Sequence, residues 1–389
     1  MFKVAVGHSE DVLTLEATQE VIDQIRLTLG EMEPQAGILF CSIDFEHKLV
    51  LATIRQAFPF IELVGCTTDG ELSSAAGFAE DSMTLIVFVS DTVEICAAAG
   101  RDASRQGGAA GKTVAEAARQ GLKRSQGNEQ FAVILADPIV GGISEIEEGI
   151  ETVFGAAFPV IGGAAAAHSK FRENFQFYNE EVLCDSLVLL VFAGPVCCSW
   201  AIKGIHSSVS AREPVTLAKN NMIYEISGKP ATEYFRRYIG NSDLYLNYCI
   251  AAYETEKGRA YIRCSPSYDK EKGAVVLNGS IPEGASLEIC TANKATLLES
   301  CEESIQQALA SYPGKGSPAA ALFFSCTCRK MIMGTKAFSE AQAIRQYLPG
   351  IPFAGFYTYG EFGPLIKGGR YMFHGITFVT LLIGTDEQS

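Results

Sequence analysis

One construction recurs three times along this chain, and that recurrence limits the folds open to it more than any other feature. Each copy opens with a short strand: KVAVG from Lys3, EICAAAG from Glu94 and EICTA from Glu288. A helix-compatible stretch follows, then a buried strand: ILFCS from Ile38, FAVILA from Phe131 and AALFFSC from Ala320. A second helical stretch leads to a proline-led strand that reaches Gly65, Gly162 or Gly355, and an apolar return strand closes the copy at Met83, Ser186 or Ile376. Strands alternating with helical stretches predict a layered α/β architecture. The expectation is two parts, residues 1–210 with two copies and 211–389 with the third. Their sheets should be mixed, each built from strand-helix-strand-helix-hairpin units, with the proline-led and return strands forming an antiparallel pair. A polar helical region is expected from Glu213 to Ile239, followed by a hairpin turning at Ile281-Pro282-Glu283-Gly284.

Counted from the three glycines, offsets 3, 5 and 6 read Thr68, Gly70, Glu71 in the first copy and Thr358, Gly360, Glu361 in the third. In the second they read Ala165, Ala167, His168. These loops lie beyond the ends of buried strands, where open α/β sheets gather ligands. Backbone amides, hydroxyls and one fixed carboxylate suit a zwitterion: a carboxylate on the amides and on Thr67, Thr68 or Thr358, an ammonium on Glu71 or Glu361. Tyr357 and Tyr359, two residues apart, should share a strand face and form an apolar wall. The competing reading makes both loops plain hairpin turns whose glutamates pair with a neighbouring cation.

The formal net charge of −14 repels nucleic-acid backbones and anionic lipid surfaces. MFKVAVGHSE lacks the pattern of a secretory signal, and Gly194-Pro195 break the most apolar stretch, so the expected setting is the cytoplasm without membrane or nucleic-acid partners. Twelve cysteines, mostly inside apolar strands and without a C-x-x-C pair, read as reduced structural thiols, and no metal or cofactor is expected. GGAAGKT at Gly107 falls short of a phosphate loop because Gln106 stands where that motif needs glycine. Gly141-Gly142-Ile143-Ser144-Glu145 reads as a helix start, with Ser144 as cap and Glu147 closing a capping box.

VGCTTDGEL, PVIGGAAA, VTLAKNNMIYEISGKPATEYF, AVVLNGSIPEGASLEI and GFYTYGEFGP together resemble the FIST sensory family, an N-terminal FIST part followed by a C-terminal one. The resemblance covers most of the chain and implies an intracellular signalling module that binds small molecules such as amino acids. Such modules are often fused to a kinase, cyclase or chemoreceptor output. The sequence stops five residues after Gly384, so a separate signalling partner, such as a kinase or cyclase, is expected. Some stand-alone members are described as haem-binding nitric oxide sensors, which keeps His8, His47, His168, His206 and His374 in play as axial ligands, with His168 the choice. A third reading, an enzyme with Cys66 as nucleophile and His168 as base, suffers from Asp69 and Glu71, which would raise the thiol pKa. The reading adopted is a non-catalytic sensor of a small polar or zwitterionic ligand.

Overall fold

The computed structural model describes residues 1–138, 143–168, 173–205, 207–240, 248–255, 260–264, 267–269, 271–277 and 279–385. Gly141, Gly142 and His206 lie outside the described residues.

The first unit runs β1 (Phe2–Ser9), α1 (Thr14–Leu29), β2 (Ala36–Ser42), α2 (His47–Ala57), β3 (Glu62–Thr68), β4 (Glu71–Ser73), β5 (Gly77–Ala79) and β6 (Met83–Ser90). The second follows with β7 (Glu94–Gly100), α3 (Ala103–Gly121), β8 (Glu129–Ala136), α4 (Ile143–Phe154), β9 (Val160–Ala164), β10 (Gln176–Tyr178), β11 (Glu181–Leu183) and β12 (Leu187–Ala193). The third begins at β13 (Val196–Lys203) and is interrupted by β14 (Ser207–Ser208), β15 (Glu213–Lys219), β16 (Met222–Ile226), β17 (Lys229–Pro230), α5 (Ala231–Ile239), β18 (Tyr248–Tyr253), β19 (Tyr261–Arg263), β20 (Ser267–Asp269), β21 (Ala274–Val276) and β22 (Ser286–Thr291). It resumes with α6 (Lys294–Ala310), β23 (Ala320–Cys326), α7 (Thr327–Met333), a 3-10 turn at Gly334–Lys336, α8 (Phe338–Tyr347), β24 (Phe353–Thr358), β25 (Glu361–Pro364), β26 (Tyr371–His374) and β27 (Phe378–Thr385).

The expected mixed α/β sheets are present. Three six-stranded sheets share one order: β1-β6-β2-β3-β10-β11, β7-β12-β8-β9-β25-β26 and β13-β27-β23-β24-β4-β5. In each, the two central strands run parallel and the return strand lies antiparallel between the first strand and the second. The proline-led and return strands therefore share a sheet but are not neighbours, contrary to the expected antiparallel pair. Each sheet is completed by the hairpin of another unit: the first by that of the second, the second by that of the third, the third by that of the first. This cyclic exchange closes three sheets around one core.

Side-chain alternation explains the closure. Ile38 and Phe40, Val133 and Leu135, and Leu322 and Phe324 point into the shared central core. Leu39, Ile134 and Phe323 point outward and are covered by the helices of their own unit. Strands buried on both faces read as unbroken apolar runs, which is why these three were legible. Gly65, Gly162 and Gly355 face Leu39, Ile134 and Phe323 across the parallel pairs, and a Cβ on any of them would collide with that partner's carbonyl oxygen. The glycine-rich part of α3 has a similar cause: a Cβ at Gly111 would strike the carbonyl of Ile146 on α4.

Three further expectations change. EICTA from Glu288 is not the edge strand of the third sheet; it belongs to β22, which pairs with β18 in the inserted sheet, while β13 pairs with β27. The inserted segment returns the chain to the start of α6, so the strand next to that helix in sequence is not its neighbour in the sheet. Glu213 to Ile239 is mostly strand, with helix only at Ala231–Ile239. Ser144 lies inside α4 rather than at its cap, and Glu147 Oε1 has no hydrogen-bond partner among the described residues.

Candidate functional site

Backbone pairing brings Thr68 and Glu71 to the turn between β3 and β4, and Thr358 and Glu361 to the turn between β24 and β25. Gly70 at φ +113° and Gly360 at φ +147° make these turns in a region that side chains disfavour. Thr68 Oγ1 donates to one oxygen of Glu71 and Ser82 Oγ to the other. Thr358 Oγ1 donates to Glu361, whose second oxygen accepts from Thr377 N at 3.1 Å and Thr377 Oγ1 at 2.7 Å. Both glutamates are fully buried. Burial outweighs these hydrogen bonds, pushing Glu71 up to about 7 and Glu361 well above the usual carboxylate range. Each carboxyl joins the start of its hairpin to the residue before its return strand, a clamp at the sheet junction rather than an acid held toward solvent.

The other expected site residues are also turned inward. Thr67 Oγ1 accepts from Phe175 N at 2.9 Å. Tyr357 and Tyr359 do not form one wall: Tyr357 packs beneath α8 and donates to Glu340 at 2.7 Å, while Tyr359 enters the second unit's core and donates to the Ala167 carbonyl at 2.6 Å. The strand ends at Thr358, and the turn that follows sends the next side chain into a different core.

In the second unit the position equivalent to the glutamates is Gln176, not His168. Glu71 pairs with Phe356 and Glu361 with Gly163, each one residue beyond the conserved-offset glycine, and Gln176 pairs in the same place with Cys66. Ser186 Oγ donates to Gln176 at 2.8 Å, in the role of Ser82 and Thr377. Extra residues between β9 and β10 displaced the offset count. His168, at φ +44°, lies partly exposed between Asp44, which meets its Nε2, and Asp81, 3.5 Å from its Nδ1.

Sequence reasoning passed over a cleft of about 600 Å³ between the inserted sheet and the third unit. Lys203 at the end of β13, Thr296, Ser300 and Glu303 on α6, Ile262 on β19 and His374 on β26 are among its lining residues. Lys203 Nζ lies 3.1 Å from Glu303 Oε2. His374 Nε2 donates to the Gly363 carbonyl at 2.9 Å, which fixes the tautomer and makes Nδ1 an acceptor, with no partner among the described residues. Burial lowers this imidazole to about 4, so it is neutral at pH 7. Thr377, the partner of Glu361, also reaches the cleft.

The FIST N domain model matches residues 35–229 and the FIST C domain model residues 231–364. The chain belongs to the FIST family. FIST domains are sensory, ligand-binding domains of signalling proteins. This FIST chain is 26% identical to an uncharacterized protein of Methanocaldococcus jannaschii over 57% of its own length and 43% of that protein's. It is 24% identical to one of Mycobacterium bovis over 59% and 61%, and 22% identical to one of Mycobacterium tuberculosis over 96% and 98%. The matched stretch thus spans less than two thirds of the first two relatives. Among solved structures it is similar to a cyanuric acid hydrolase from A. caulinodans, with a TM-score of 0.43 and 8% identity over the whole of both chains.

Two residues that carried alternative readings of a FIST protein are placed unfavourably for them. His168 has both ring nitrogens beside carboxylates at a partly exposed site, whereas a haem ligand needs a free nitrogen in an apolar pocket. Cys66 is wholly buried in the central core, and burial, with Glu71 adding to it, pushes its thiol well above the ordinary value. Among the described residues, no helix of this FIST chain is long and apolar enough to cross a membrane.

Proposed function

We propose that this protein is a non-catalytic sensor whose cleft between the inserted sheet and the third unit takes an amino acid or a similar zwitterion. The observation that carries the reading is the pairing of opposite charges, Lys203 and Glu303 at 3.1 Å, in a cleft of ligand size. A ligand carboxylate would take Lys203, while its ammonium would take Glu303. Lys203 and Glu303 belong to the third unit and Ala260 and Ile262 on the facing wall to the inserted segment, so a ligand held by the first pair and covered by the second favours a closed arrangement, and a signalling partner such as a kinase or cyclase would read that change.

Isothermal titration with free amino acids, and with analogues lacking the amine or the carboxylate, tests the reading. Lys203→Ala should weaken binding about tenfold, the scale of one charge-assisted hydrogen bond. Amino-acid binding unaffected by Lys203→Ala and Glu303→Ala would remove the cleft from consideration.

A further inference from the structure

Three thiols far apart in sequence converge where the inserted sheet meets the third unit. Cys264 follows β19, Cys326 ends β23 and Cys328 stands in the first turn of α7, and their sulfurs all lie within 4.8 Å of one another. All three are at most 4% exposed. Backbone bonds fix the two sides: Gly375 N donates to the Ile262 carbonyl at 3.1 Å, two residues before Cys264, and Cys326 N donates to the Thr377 carbonyl at 3.2 Å. The surroundings are apolar or soft, with Ile205, Ile376 and the Met333 thioether in the same cluster.

We propose that Cys264, Cys326 and Cys328 form a trigonal thiolate site for a soft cation, Cu(I). Metal–sulfur bonds of about 2.3 Å in a trigonal plane put the sulfurs about 4 Å apart, close to the spacing already present. Zn(II) asks for four ligands, and among the described residues no fourth His, Cys, Asp or Glu joins this group. Cu(I) is satisfied by a few soft donors. Thiols buried in apolar surroundings are protonated while no metal is bound. Binding therefore replaces thiol protons, which pass to solvent, with metal–sulfur bonds, and no oxidation is involved. Occupancy would tie the inserted sheet to the third unit beside the cleft, since Ile205 and Ile262 belong to both the sulfur cluster and the cleft wall.

The test uses the full reduced chain without oxygen, titrated with Cu(I) held by a chromophoric competitor. One equivalent should bind with proton release, and X-ray absorption should show three sulfurs around copper. Cys264→Ser and Cys328→Ser should each weaken binding at least tenfold, while Cys184→Ser, at an exposed thiol, should leave it unchanged. Unchanged affinity in Cys264→Ser, fewer than three sulfurs in the wild-type spectrum, or displacement of Cu(I) by equimolar Zn(II) would each overturn the assignment. The wild-type spectrum decides even where a variant fails to fold.

Discussion

Arg329 and Glu340 form an ion pair at 2.7 Å with neither side chain exposed to solvent. Both side chains make further hydrogen bonds. Glu340 also accepts from Ser325 Oγ at 2.8 Å and Tyr357 OH at 2.7 Å, while Arg329 donates to Ser300 Oγ at 2.9 Å and the Leu297 carbonyl at 2.8 Å. Ser300 lines the cleft, so the pair ties the α6 wall of the cleft to α7 and α8. Removing one partner leaves the other charge buried and uncompensated. Arg329→Ala should therefore lower stability by about 3–5 kcal/mol, and Arg329→Met with Glu340→Leu should lower it less, as read from urea unfolding.

Glu71 gives a pH signature. Its folded pKa of about 7 lies above its ordinary 4.5, so between those values the unfolded chain has lost a proton that the folded chain keeps. Its contribution to stability is therefore full below pH 4.5, falls by roughly 3 kcal/mol as pH rises to 7, and changes no further above that. Glu71→Gln should fold and remove this slope; an unchanged slope between pH 5 and 7 would show that the carboxyl ionises normally.

Gln176 invites the reverse exchange. It holds the glutamate position with one hydroxyl partner, Ser186, because Ala165 stands where the other copies have Thr68 and Thr358. Gln176→Glu should destabilise the protein by about 1–3 kcal/mol at pH 8, the cost of an undersatisfied buried polar group. The loss should shrink at pH 5, which paired thermal melts would show.

His374 titrates in the opposite sense. Its folded pKa, about 4, lies below the ordinary 6.5, so its contribution to stability is complete above pH 6.5 and is lost as pH falls toward 4. Ligand affinity in the cleft should accordingly be flat between pH 6 and 8 as far as this imidazole is concerned. A titration step near 6.5 in the wild type that vanishes in His374→Gln would contradict that neutral assignment.

The central strands and the small residues at their crossings were readable because local chemistry fixes them. Ile38 to Cys41 and Ala320 to Phe324 are apolar throughout, as expected of strands covered on both faces. The site was less legible. Thr68-x-x-Glu71 and Thr358-x-x-Glu361 were readable as a recurring pair, but not that Ser82 and Thr377 would close around the acids and turn them inward. His168 took the place of Gln176 because counting along the chain cannot register an extra loop, whereas strand pairing can.

What the sequence by itself determined is the alternation of strands and helices, the buried faces and the family, since periodicity, glycine spacing and motifs are properties of neighbouring residues. Only the tertiary structure decided which hairpin completes which sheet, that β13 rather than Glu288-Ile289-Cys290 edges the third, and that Cys264 meets Cys326 and Cys328. Those outcomes rest on backbone hydrogen bonds and packing between residues far apart along the chain. A three-residue strand can satisfy its backbone groups on any open sheet edge, so its own sequence does not say which one it joins.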